Sequence, residues 1–124
     1  MKRDIGLFVD DILESIRNIE EFTLGLNKEK FSKDKLRQSA VIRQLEVIGE
    51  AVKNIPSGFR EKYPDIPWKD IAGLRDILSH AYFGVNIERV WMVIEKDLPY
   101  LKKGIKRIRT SEYKTHPKDK SLRS

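Results

Sequence analysis

The chain has no cysteine, so disulfides and thiolate metal sites are excluded. It has only two histidines, His80 and His116, far apart in sequence. A histidine-built metal centre within one chain is therefore not expected. No run of residues is long and apolar enough to span a bilayer, so no membrane association is expected. The N-terminus, Met1-Lys2-Arg3-Asp4, leads straight into a charged amphipathic pattern and lacks the form of a signal peptide. A cytoplasmic location is the expectation. Strand-type alternation, internal repeats and low-complexity tracts are also missing.

What is present is charge and helical period. The 124 residues are 35% charged and 40% hydrophobic, which suits one domain around one core. The net charge of +6 is unevenly placed. From Lys102 to Ser124 there are nine Lys/Arg against two acids, whereas residues 1–101 are near balance. A cationic end suits a polyanion such as RNA. A solubilising tail explains the same composition, and residues 111–124 are expected to be flexible and basic.

Ile5, Phe8, Val9, Ile12, Ile16 and Ile19 recur at three- and four-residue steps, predicting a first helix over about residues 3–24. Gly25 should end it, and residues 28–31 read as a charged loop. Ser32 is the expected N-cap of a second helix, striped by Val41, Leu45, Ile48, Val52 and Ile55 and stopped by Pro56. Ser57 is expected to cap a short turn, and Pro67 to occupy the first turn of a third helix. Ile71, Leu74 and Leu78 form that helix's buried face, and Gly84 lies beyond its end. Asn86 should cap a fourth, striped from Ile87 to Ile108, with Pro99 forcing a kink or break near Asp97–Leu98. The fold class is all-α: an up-and-down four-helix bundle over residues 1–110 with one short extra turn.

One stretch carries residues suited to chemistry, Gly73-Leu74-Arg75-Asp76-Ile77-Leu78-Ser79-His80-Ala81-Tyr82-Phe83-Gly84. Arginine is a permanent cation with a planar fork of donors for phosphate. Histidine exchanges a proton near neutral pH. Together they can support RNA cleavage by the ribose 2′-hydroxyl without a cofactor. On an ideal helix Tyr82 lies about 20° from Arg75, but His80 points about 140° away. Arg75 and His80 can then face one substrate only if the helix ends before His80 or two subunits combine their copies. Plainer roles fit the same residues. Arg75 could pair with a surface acid, His80 could cap the helix, and Tyr82 could pack in the core. Trp68 and Trp91 read as core residues, and Glu46 with Glu50 as a solvated face.

Arg75, four residues, His80, one residue and Tyr82 together match the signature of the HEPN superfamily, and Asp76 after the arginine fits its pattern. The setting resembles the HepT branch, small toxins paired with a minimal nucleotidyltransferase (MNT) antitoxin. The matching pieces are Ile48-Gly49-Glu50-Ala51, Pro67-Trp68, Trp91 and Asp97-Leu98-Pro99. The resemblance covers roughly residues 4–108. It implies a homodimer sharing one cleft and a metal-independent ribonuclease without a cofactor. Arg75 and His80 would be catalytic, with Asp76 and Ser79 as supporting motif positions. It also implies that the antitoxin transfers AMP to Tyr82. A non-catalytic HEPN module that binds nucleotide or RNA, or serves in dimerisation, is the alternative.

Overall fold

The computed structural model describes residues 2–74, 78 and 86–113. Among these there are helices and turns and no strand, in agreement with the all-α expectation. The elements are α1 (Lys2–Phe22), α2 (Lys28–Ser32), α3 (Lys35–Asn54), α4 (Ser57–Arg60), α5 (Trp68–Ala72), α6 (Ile87–Met92), a π-helical turn (Val93–Asp97) and α7 (Leu98–Tyr113).

The apolar stripes meet in one core. Val9, Ile12, Ile16 and Ile19 of α1, Val41, Leu45, Ile48 and Val52 of α3, and Leu101, Ile105 and Ile108 of α7 are essentially sealed from solvent. Each such side chain contributes about 1.5–3 kcal/mol of burial. Helix α1 lies between α3 and α7 and runs antiparallel to both. Asn18 bonds Gln44, while Arg37 Nε donates to the Phe22 carbonyl. On the other side Glu20 pairs with Lys102 and Asp10 with Arg109. Trp68 and Trp91 are core residues, as their stripes require.

Several local expectations are corrected. Residues 28–31 are not a loop. Asn27 accepts the Lys30 N–H at 2.8 Å and caps the short α2. Phe31 is fully buried there, with its ring centroid 5.2 Å from that of Trp91. Ser32 does not cap the second long helix. Its hydroxyl donates to the Glu29 carbonyl, and Asp34 caps α3 by accepting the Arg37 N–H at 3.0 Å. That bond also holds the Asp34 carboxyl below its ordinary range. Pro56, not Ser57, is the N-cap of α4, and Pro67 precedes α5 rather than opening it. Gly25 does leave α1 at φ 81°, the left-handed conformation glycine tolerates. Asn86 caps α6 as expected, accepting the Arg89 N–H at 3.1 Å.

Pro99 does not break the last helix. The Leu98 N–H bonds the Val93 carbonyl five residues back, a π turn immediately before the proline. The wider turn carries the helix past a ring that would crowd a regular one. The helix then runs to Tyr113, into the segment assigned to the tail. Tyr63 donates to Glu112 at 2.7 Å and Lys62 pairs with it at 3.0 Å, which ties down that end. The end of the third helix before Gly84 and residues 114–124 lie outside the described residues.

Candidate functional site

The site is approached through its anchors. The Trp68 indole N–H donates to the carbonyls of Tyr63 at 2.9 Å and Arg60 at 3.1 Å. This fixes the start of the helical stretch that leads into the motif. Ile71, Leu74 and Leu78 are buried, so the expected apolar face exists and packs toward α3. Gly73 caps α5 through its N–H to the Lys69 carbonyl at 2.9 Å, and Leu74 and Leu78 are again helical.

Leu78 stands inside the motif, between Arg75 and His80 in sequence, and lines a cleft of about 370 Å³. Helix α1 supplies Phe8 and Asp11 to its walls. Helix α3 supplies Arg43, Glu46, Val47, Glu50, Ala51 and Asn54. Among the described residues, three carboxylates and one guanidinium line the cleft, and Arg43 is paired with Glu46 at 3.4 Å. Glu46 and Glu50 are both exposed, as a solvated face requires. They border the segment that carries the motif. Their separation of four residues was visible in sequence, but not which helix they would meet.

A second acidic feature lies in the π turn. Asp97, in the π turn, has its carboxyl raised above the ordinary range, first by burial and then by the nearby Asp70 carboxylate of α5. Arg89 and Lys96 pull it back the other way. The start of the motif helix therefore sits close to the π turn. Among the described residues no group of three or more His, Asp or Glu side chains could hold a metal ion. Arg75, Asp76, Ser79, His80 and Tyr82 all lie outside the described residues. The described neighbours of the motif are its buried anchors and the cleft they border.

Comparison with known proteins adds a family. The ribonuclease HepT-like family profile matches residues 12–108. A Thermococcus cleftensis protein named "Probable ribonuclease HepT" is 48% identical over 109 residues, covering 88% of this chain and 99% of that one. A Methanocaldococcus jannaschii protein named for a proposed RNase activity is 51% identical over 98 residues, 79% of this chain and 81% of that one. Another from the same organism, named for gamma-glutamylcyclotransferase and proposed RNase activities, is 49% identical over 108 residues. That match takes in 87% of this chain but only 49% of the longer relative. No solved structure gives a significant match.

Proposed function

The chain belongs to the HepT-like ribonuclease family, and from that premise we propose that it is an RNA endonuclease acting as the toxin of a toxin–antitoxin pair. What carries the reading is the family match over residues 12–108, a span that contains Arg75, His80 and Tyr82 with the motif spacing intact. The cleft at Leu78 supports it. Its carboxylates are of the kind that an arginine takes as charge-assisted partners.

The proposed reaction needs no metal. The ribose 2′-oxygen attacks the adjacent phosphorus, and the bond from phosphorus to the 5′-oxygen breaks. The products are a 2′,3′-cyclic phosphate and a 5′-hydroxyl. A neutral imidazole takes the 2′ proton, and a protonated one gives a proton to the leaving oxygen. Arg75 stabilises the phosphoryl oxygens as charge builds. One His80 per chain makes a homodimer the natural unit, with two motif copies in one cleft. Asp76 and Ser79 support the motif. Tyr82 is the control point. Its hydroxyl oxygen attacks the α-phosphorus of ATP on an MNT antitoxin, pyrophosphate leaves, and the attached AMP blocks the cleft with bulk and negative charge. The RNA it meets is cytoplasmic.

The test is RNA cleavage by purified protein in EDTA. His80→Ala should abolish it, and equal cleavage by that variant would remove the histidine from the mechanism. Absence of cleavage by the unmodified protein would favour a binding module instead. Tyr82→Phe should keep cleavage and escape AMP transfer. AMP found by mass spectrometry on Tyr100 would refute the assignment of the modified tyrosine.

A further inference from the structure

We infer that the outer face of the last helix, the groove around Tyr100, is a binding track for single-stranded RNA. The inference rests on the ribonuclease reading for the identity of the strand. The groove itself stands on geometry and charge.

It holds about 480 Å³ between Lys96, Pro99, Tyr100 and Lys103, with Glu95 at its rim. Tyr100 is 70% exposed, and Met92, at the end of α6, is 51% exposed. The other tyrosine with a described environment, Tyr63, is buried and bonded to Glu112. Tyr100 thus presents its ring to solvent and leaves its apolar surface uncovered.

The cations beside it are set apart in the same way. On this helix Lys102 pairs with Glu20, Arg107 with Asp65 and Arg109 with Asp10, each tying the helix to the bundle. Lys96, Lys103 and Lys106 are exposed and form no ion pair among the described residues. Seven residues separate Lys96 from Lys103, about 10.5 Å of helix. An aromatic face between two ammonium groups that form no ion pair among the described residues fits an unstacked base with phosphate on either side. A duplex keeps its bases stacked and offers no such ring.

Two other occupants fit less well. A protein interface needs an apolar centre, and lysine is depleted there. A second copy docked face to face would bring like charges together across the two-fold axis. Among the described residues, the walls of the cleft near Leu78 carry three acids and one arginine, so the lysine groove is the better place to gather phosphate.

The experiment uses a fluorescein-labelled 2′-O-methyl dodecauridylate, a strand without the nucleophile for cleavage, and measures anisotropy across a salt series. Lys96→Gln/Lys103→Gln should lower the slope of log affinity against log salt by about 1.4, from about 0.7 per phosphate. Tyr100→Ala should weaken binding about 5- to 150-fold with the slope unchanged, and Tyr100→Trp should restore it. Unchanged binding in both variants, or no binding by the unaltered protein, overturns the proposal. So does loss of affinity for a nucleotidyltransferase with oligonucleotide binding intact, which would make the groove a protein contact. Cleavage of a long RNA is assayed separately. An inactive protein whose groove still binds as expected would refute the ribonuclease reading alone.

Discussion

Among the described residues, two faces of the same bundle carry opposite charge. The cleft beside Leu78 gathers Asp11, Glu46 and Glu50 against Arg43. The outer face of α7 presents Lys103, with Lys96 just before it and Glu95 at the rim, around an exposed tyrosine. The difference teaches a division of labour. Carboxylates suit the holding of an arginine and the keeping of a proton on a histidine, but they repel phosphate. Unpaired lysines suit the holding of phosphate and have no means of cutting it. Under this account the chemistry and the grip reside on separate faces.

The largest effect that would break or sharpen this contrast is at the motif. His80→Ala should lower cleavage by about 10²-fold or more and leave affinity for the non-cleavable strand unchanged. Matching losses in rate and affinity would collapse the two faces into one. Leu78→Ala comes next. It deletes a buried side chain at the wall of the cleft and should cost about 2–5 kcal/mol, read from the urea midpoint.

The third test divides α7 itself. A Cβ on Gly104 would clash with Ile66 Cγ1, so Gly104→Ala must displace a core side chain. The expected loss is about 1–3 kcal/mol. Tyr100→Ala, on the outer side of the same helix, should change stability by no more than about 0.5 kcal/mol. Equal losses would mean that Tyr100 is structural.

The smallest effect belongs to Asp97. Its raised carboxyl means that the native chain holds this proton more tightly than the unfolded chain. Stability therefore falls as pH rises from the ordinary carboxylate range through the raised value, and the ionised group is a cost at neutral pH. Asp97→Asn should gain about 0.5 kcal/mol at pH 7 after solvent screening, and the gain should vanish well below the carboxylate range. Thermal melts at pH 3 and pH 7 would read this, and a gain of the same size at both would mean that charge is not the cause.

The long helices were legible because their stripes repeat with the helical period over many turns. Helix α2 was not. Its five residues are too few for periodicity, and the burial of Phe31 depends on Trp91, sixty residues away. Ser32 and Asp34 are both good caps by type, and only the bond from the Arg37 N–H decides between them. Pro99 correctly signalled a disturbed helix, but local geometry could not show that one widened turn would absorb it. Arg75, His80 and Tyr82 stand out in the sequence through their resemblance to the HEPN signature, and they lie outside the described residues. The acids of the cleft do not stand out, since Glu46 and Glu50 gain meaning only from the helix that packs across them. The same holds for Tyr100, whose exposure follows from the placement of its helix on the bundle.

The most direct measurement is the chemistry of the cut ends. RNA incubated with the purified protein in EDTA should yield 2′,3′-cyclic phosphate and 5′-hydroxyl termini. Fragments with 3′-hydroxyl and 5′-phosphate ends would contradict the account, because a water molecule rather than the ribose would then have attacked the phosphorus.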